Sequence, residues 1–375
     1  MIYKDFLGKK LSALGMGCMR LPCSADGKID EAATAEMVEY AINKGVNYFD
    51  TAWGYHDGES ENVMGRVLSK YPRESFYLAD KFPGYASANW GKAEEIFEQQ
   101  LKKCKVEYFD FYMFHNLCDM NVDAYLDDAK YGDKTYLLKQ KQNGRIKHLG
   151  FSAHGDLNIM RRFLEAYGDI MEFCQIQLNW LDWDFQNAKA KVALLNEYNI
   201  PVWVMEPLRG GKLVDINTDY VNRLNELRPE VSLPEWAFRF IQTVPEVKVT
   251  LSGMSNFKQI KENIETFSGE KPLTQQEWDA LLAIGAEMTG KKTLPCTACR
   301  YCTTYCPMEL DIPKLIELYN EHRYSDGGFI APMALSALPE DKKPSACIGC
   351  KACEEVCPQL IKISEMMQDF VAHLG

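Results

Sequence analysis

A closed parallel (β/α)8 barrel followed by a small cysteine-rich unit is the α/β fold class that this sequence predicts, and three observations predict it. Short apolar, β-branched or aromatic runs recur at about residues 15–19, 46–50, 76–81, 108–114, 147–152, 173–178, 201–206 and 247–252. Each is followed by a segment with helical periodicity. Eight of the 13 cysteines crowd into two short runs near the C-terminal end.

The helical segments follow the strands in strict alternation: "DEAATAEMVEYAINKG", "ESENVMGRVLSKY", "KAEEIFEQQLKKC", "TYLLKQKQNG", "DLNIMRRFLEAYG", "NAKAKVALLNEYNI", "LPEWAFRFIQTV" and "NFKQIKENIETF". Several begin after Asp, Ser or Asn and end at Gly or Asn, the residues that cap orphaned backbone groups. Parallel strands need crossover helices, and strands covered on both sides lack polar alternation, so eight such units close a barrel. An open doubly wound sheet is the rival. It carries a glycine fingerprint after its first strand, and "LGMGCMRLPCSADG" does not supply GxGxxG. Residues 1–272 are assigned to the barrel, 273–289 to a helical linker and 290–375 to the second unit.

With 375 residues, 46% of them hydrophobic, the chain can bury a large core. A net charge of −11 argues against nucleic acid or an anionic membrane as partner. The N-terminus lacks the apolar core of a signal peptide, and no run reaches the roughly 18 apolar residues of a membrane span. A cytoplasmic location is the expectation. Five cysteines (Cys18, Cys23, Cys104, Cys118, Cys174) lie singly and read mostly as buried small hydrophobes.

Chemistry in such a barrel sits at the C-terminal strand ends. That rule selects Asp50, Lys81 and His115, with Tyr55 on the loop after Asp50. A tyrosine with an ordinary pKa near 10 needs a neighbouring ammonium to favour its ionised form, which Lys81 supplies. Asp50 pairs with Lys81, and His115 hydrogen-bonds a carbonyl oxygen or relays its proton. Such a site reduces a carbonyl: hydride arrives at carbon while Tyr55 protonates oxygen.

At these residues "FDTAWGYHDGESENVMG" resembles the signature of the aldo-keto reductases, over roughly residues 1–268. The resemblance implies a nicotinamide dinucleotide, NADP(H) or NAD(H), bound without a Rossmann domain. It assigns the tetrad roles to Asp50, Tyr55, Lys81 and His115. It implies cofactor contacts from Gly17, Cys18 and Met19 after the first strand and from Asp50. Ser152 in "GFSAH" and Gln177 in "CQIQLN" match residues that hold the nicotinamide carboxamide. Ala153 replaces the family's common Asn, leaving His154 to serve instead. In "MEPLRGG", Met205 stands where relatives stack an aromatic ring, while Glu206, Leu208 and Gly210 lie on the loop along the pyrophosphate. In "SGMSNFKQIKENI", Gly253, Met254, Gln259, Glu262 and Asn263 match the adenosine end. There Gly253 and Gln259 replace the basic residues that bind a 2′-phosphate, with Lys258 and Lys261 as substitutes, so NAD(H) stands beside NADP(H).

The C-terminal runs "CTACRYCTTYCP" and "CIGCKACEEVCP" share the spacing C-x2-C-x2-C-x3-C-P. Three cysteines on a tight loop grip three corners of a [4Fe–4S] cube while the fourth reaches the other cluster. The ligand sets are therefore Cys296, Cys299, Cys302 and Cys357, and Cys347, Cys350, Cys353 and Cys306. Pro307 and Pro358 fix the chain where it leaves each loop. Zinc is the competing metal. The runs resemble bacterial two-cluster ferredoxins, implying a small α+β unit, with an insertion at 308–346 whose "LDIPKLIELYNEHRY" reads as an amphipathic helix free to dock on the barrel or on a partner.

Two functions follow. The first is an NAD(P)-linked oxidoreductase acting on a small carbonyl or alcohol, coupled to two [4Fe–4S] clusters and through them to a redox protein partner. The second is a ferredoxin-type electron-transfer protein in which the barrel is a docking scaffold or a flavin-linked redox site. Tyr55 and Lys81 together favour the first, and no flavin motif is evident.

Overall fold

The computed structural model describes residues 1–290, 293–296, 298–357 and 359–374. It divides into two compact units, Met1–Leu282 and Ala283–Gly375.

The strands are β1 (Tyr3–Phe6), β2 (Lys9–Ser12), β3 (Leu14–Gly17), β4 (Tyr48–Asp50), β5 (Tyr77–Phe82), β6 (Phe109–Leu117), β7 (Ile146–Ala153), β8 (Cys174–Gln177), β9 (Val202–Met205) and β10 (Val247–Ser252). Strands β3 to β10 close a barrel of parallel neighbours in chain order, with β10 returning to pair with β3. The helices of this unit are α1 (Glu31–Asn43), α2 (Ser60–Leu68), α3 (Ala93–Cys104), α4 (Val122–Leu126), α5 (Asp128–Tyr131), α6 (Asp133–Gln142), α7 (Leu157–Tyr167), α8 (Asp182–Phe185), α9 (Ala188–Glu197), α10 (Thr218–Leu227), α11 (Leu233–Gln242) and α12 (Phe257–Thr266). Side-chain caps start several of them: Asp30 accepts from Ala33 N–H, Asp156 from Asn158 and Ile159, and Asn256 from Gln259.

The two-residue period of the strands explains how the site is built. Tyr48, Ala79, Phe111, Phe173, Trp203 and Val249 fill the barrel interior. Counting two or four residues onward on the same face gives Asp50, Lys81, His115, Gln177, Met205 and Gly253. The apolar layer thus dictates which side chains reach the C-terminal mouth.

The sequence reading contained no N-terminal hairpin. Strands β1 and β2 pair antiparallel across Leu7 and Gly8, whose φ values of 50° and 78° suit a tight primed turn. The hairpin's Phe6 is buried, its ring 5.0 Å from both His148 and Trp203, and it plugs the barrel floor. Helix α10 was likewise not foreseen.

Helix α13 (Gln275–Gly290) follows the barrel. The second unit contains α14 (Ile312–Ser325), α15 (Ile330–Ser336), α16 (Ala352–Glu355) and α17 (Ile363–Leu374). Where an α+β unit was expected, the described residues from 293 onward hold helices and turns but no strand. The apolar surface is covered instead by helices: Ile312, Leu315 and Ile316 of α14 pack with Ile363, Met366, Met367 and Phe370 of α17. The amphipathic helix expected at the insertion is α14, and its apolar side packs into the core of its own unit. Pro358 lies outside the described residues. Among those described, no helix is long and apolar enough to cross a membrane.

Candidate active site

Lys81 is the centre of the barrel site. Its ammonium, on a side chain only 1% exposed, lies 2.6 Å from Asp50 Oδ1, 2.7 Å from the Thr51 carbonyl and 3.4 Å from the Tyr55 hydroxyl. Thr51 is fixed by Ser60 at the start of α2: the two hydroxyls lie 2.9 Å apart, and Ser60 donates to the Cys18 carbonyl at 3.0 Å. Tyr55 sits on a kinked segment in which His56 and Asp57 adopt φ of 51° and 55°. His56 Nε2 accepts the Leu21 N–H at 3.0 Å and ties that segment to the loop after β3. The Tyr55 ring meets His115 edge-on at 6.1 Å, and Tyr85 approaches His115 at 5.2 Å. A Cβ at position 54 would lie 2.6 Å from the Tyr85 hydroxyl and would push that ring from its place beside His115.

The electrostatics sort these groups by role. Burial pushes the Tyr55 hydroxyl up to about 12, against the pull of Lys81, so Tyr55 carries its proton at neutral pH. Burial disfavours the Lys81 ammonium, yet Asp50 and Tyr55 outweigh it and hold the pKa above the usual lysine range. Burial, with Lys81 and His154 adding to it, holds His115 well below the usual imidazole range, so the ring is neutral. His115 Nδ1 and Asp50 Oδ2 are buried with no hydrogen-bond partner among the described residues.

The residues matched to the cofactor fall into distinct settings. Ser152 Oγ accepts the Asn116 backbone N–H at 2.8 Å, which leaves its own hydrogen to donate. Gln177 Nε2 donates to Asp182 at 2.8 Å, which turns its carbonyl oxygen away from that carboxylate. His154 is lowered to about 4 by burial and Lys191. Met205, Glu206 and Leu208 are half-buried, and Gly210 and Gly211 have φ of 65° and 96°. Gly17 is half-buried, Cys18 fully buried with its thiol toward the Met16 carbonyl, and Met19 56% exposed. Met254 is buried. Gln259 accepts the Ser255 N–H at 2.7 Å, Glu262 pairs with Lys258 at 3.7 Å, and buried Asn263 donates to Ser252 Oγ at 3.1 Å. Gly253 is covered by Arg20, whose Cβ, Cγ and Cδ lie 3.0–3.2 Å from where a Cβ would stand.

In the second unit Cys296, Cys299, Cys302 and Cys357 line one cavity, with Pro313, Ile316, Ile361 and Ile363 as its apolar wall. Cys306 and Cys347 pack at half-buried positions around the same core, Cys353 is buried and Cys350 exposed. The two cysteine loops repeat one backbone shape. The residues flanking the second cysteine are left-handed in both: Ala298 and Arg300 at φ of 53° and 64°, Gly349 and Lys351 at 69° and 65°. A non-glycine residue held there costs on the order of 1 kcal/mol, and such strain collects at ligand-binding loops. Among the described residues no three His, Cys, Asp or Glu side chains converge as a single ion requires.

The barrel sequence matches the model of the Aldo/keto reductase family over residues 13–286. The chain belongs to that family. Residues 295–362 match a 4Fe-4S dicluster domain, so the aldo-keto reductase barrel is followed by an iron–sulfur unit. The chain is 30% identical to a probable aldo-keto reductase 1 of Glycine max over 213 residues, covering 54% of this chain and 58% of that relative. It is 24% identical to an NADH-specific methylglyoxal reductase of Escherichia coli over 304 residues, covering 68% and 89% of the two chains. Aldo-keto reductase AKR11C1 from Bacillus halodurans, in its holo form, superimposes with a TM-score of 0.62 at 23% identity, over 76% of this chain and 96% of that one.

Several polar residues of this aldo-keto reductase site escaped the sequence reading. Asp182, fully buried, gathers Gln177, Asn179 at 2.7 Å and Arg209 at 3.0 and 3.1 Å. Arg20 influences Glu206, whose carboxyl burial raises and Arg20 lowers. The strand-end rule finds neither, because Asp182 opens the short helix α8 and Arg20 ends the turn that follows β3.

Proposed function

We propose that the barrel of this aldo-keto reductase reduces a small carbonyl, or oxidises the corresponding alcohol, with NAD(H) or NADP(H), and that the chain exchanges electrons through two [4Fe–4S] clusters. One observation carries the barrel reading: a single buried ammonium touches Asp50, a backbone carbonyl and the Tyr55 hydroxyl together.

The chain's residues divide the work. Tyr55 holds its proton until the carbonyl oxygen gains charge, then gives it up. The phenolate so formed lies 3.4 Å from Lys81, which stabilises it. Asp50 keeps Lys81 charged and aimed. Neutral His115 keeps one ring N–H, which is available to donate to the substrate oxygen. Ser152 and the Gln177 carbonyl offer a donor and an acceptor suited to a carboxamide. A nicotinamide, when bound, supplies the hydride equivalent. Arg20 lies against both Gly210 and Gly253, a cation placed to meet a phosphate-bearing chain.

The cluster assignment rests on the cavity shared by Cys357 with three cysteines of the first loop, and on the repeated loop shape. Clusters, when bound, carry single electrons. The E. coli relative directs the first assay to NADH and methylglyoxal. Anaerobic protein is mixed with NADH or NADPH, with and without a panel of small aldehydes and ketones, following nucleotide and cluster absorbance. Carbonyl-dependent nucleotide oxidation and cluster bleaching are expected. No oxidation with any carbonyl and no bleaching would overturn the reading.

A further inference from the structure

Behind Lys81, on the outer side of β5, two further carboxyl groups meet. Asp80 and Glu61 are both fully buried, as is Gln100 between them. Gln100 Nε2 lies 3.0 Å from Glu61 Oε1, 2.9 Å from Asp80 Oδ1 and 2.9 Å from the Lys81 carbonyl. Its Oε1 takes the Tyr112 hydroxyl at 2.5 Å, which fixes the amide's orientation. An amide nitrogen has two hydrogens, and here it faces three oxygens. Two ionised carboxylates around it would leave one lone pair facing another.

The charges lead to the same conclusion. Lys103 meets Glu61 Oε2 at 2.8 Å and is the cation that serves this pocket, since the Lys81 ammonium is spent on Asp50. Other groups facing the pair are Cys104, 3.7 Å from Asp80, the Tyr112 hydroxyl, and at longer range Cys18 and Tyr85. The Lys81 ammonium also acts on Asp80 through space, but it is bound to Asp50 and gives Asp80 no cation of its own, and an uncompensated buried carboxylate is strongly disfavoured.

We propose that Glu61 and Asp80 share one proton at neutral pH and act as a positioning pair, holding the Tyr55-bearing segment and the Lys81 backbone in one fixed relation. The connection is direct. Asp80 Oδ1 accepts the Lys81 N–H at 2.8 Å, and Gln100 holds the Lys81 carbonyl. Glu61 is the second residue of α2, next to Ser60, which anchors Thr51, and α2 follows straight on from the Tyr55 segment. Burial, with Glu61 adding to it, holds the Asp80 carboxyl well above the usual carboxylate range, in accord with a shared proton.

The positioning half of this proposal rests on Tyr55 as proton donor, but its test needs neither substrate nor nucleotide. The full chain is prepared with fluorotyrosine, which acidifies the phenols and brings their titration within the folded range, and the Tyr55 fluorine resonance is assigned by its absence in Tyr55→Phe. Infrared spectroscopy at neutral pH should show a protonated carboxyl stretch that Asp80→Asn removes. Asp80→Asn mimics the neutral acid, so the Tyr55 midpoint should move by less than about 0.3 pH unit. Asp80→Ala releases the Lys81 backbone, and the midpoint should rise by about one pH unit, a tenfold loss of acidity. Absence of the carboxyl stretch refutes the shared proton, as does a midpoint that falls by about one unit in Asp80→Asn, the response to deleting a buried negative charge. An unchanged midpoint in Asp80→Ala refutes the positioning role. Should Asp80→Ala fail to fold, the infrared result and Asp80→Asn still decide the shared proton, and Gln100→Leu, which frees the Lys81 carbonyl without changing the charge, decides the positioning by the same fluorine resonance, with a rise of about one unit expected and an unchanged midpoint refuting it.

Discussion

Replacing Lys81 with methionine separates catalysis from stability. The change keeps much of the side chain's volume and removes one charge, 3.4 Å from the Tyr55 oxygen and 2.6 Å from Asp50. At an effective dielectric of about 20, a unit charge at the first distance stabilises a phenolate by about 5 kcal/mol. If roughly half of that charge has developed in the transition state, the rate constant falls on the order of 10²-fold. The same substitution strands Asp50 in a dry site, at a cost of about 3–5 kcal/mol before the carboxyl takes up a proton. A second substitution, Asp50→Asn, removes the stranded charge. The double variant should therefore regain stability over Lys81→Met while staying as inactive. Carbonyl-dependent NAD(P)H oxidation and thermal unfolding by circular dichroism read the two effects. A single variant with kcat within about threefold of the parent, or a double variant no more stable than the single, would refute the assigned charge network.

Four further outcomes are expected. Tyr55→Phe should cut carbonyl reduction by about 100-fold or more while leaving nucleotide binding, read by fluorescence titration, nearly intact; unchanged turnover would remove Tyr55 from its role. His154 is held at about 4 in the folded state, below its unfolded value, so its contribution is full above about pH 6.5 and fades as pH falls toward 4. Over that window the unfolding free energy of His154→Asn should decline less steeply than the parent's, by up to about 1.4 kcal/mol per pH unit, and parallel curves would contradict this. Protein prepared without oxygen should contain about eight iron and eight sulfide per chain, and stoichiometric zinc without sulfide would reject the clusters. At Gly65 a Cβ would stand 2.2 Å from the Lys103 carbonyl, so Gly65→Ala should separate α2 from α3 and lower the unfolding midpoint, with an effect of about 2 kcal/mol or more; an unchanged midpoint would show that the helices can yield.

What the sequence disclosed follows from which interactions are local. The barrel strands were legible because a strand buried on both faces is mostly apolar, and Asp50, Lys81 and His115 stood out as the polar residues near the ends of such runs. The hairpin β1–β2 was not, because "YKDFLGKKLS" carries four charges and only Phe6 and Leu11 enter the core. Its stability comes from plugging a barrel that closes far along the chain, and no local pattern records that. The cysteine loops were legible through spacing, whereas the helices replacing the expected strands were not, since α14 and α17 bury their faces against each other across about 50 residues. The carboxyl pair shows the same division within the site. Glu61 and Asp80 each look, in sequence, like an ordinary acid beside a helix start and a strand end. Only the register Asp80↔Tyr112 and the contact of α2 with α3 bring Gln100, Tyr112 and both acids together. A strand buried on its inner face by the reaction site and on its outer face by helices must satisfy every polar group on both sides. In this barrel, therefore, Asp80 is as constrained as Lys81, which follows it.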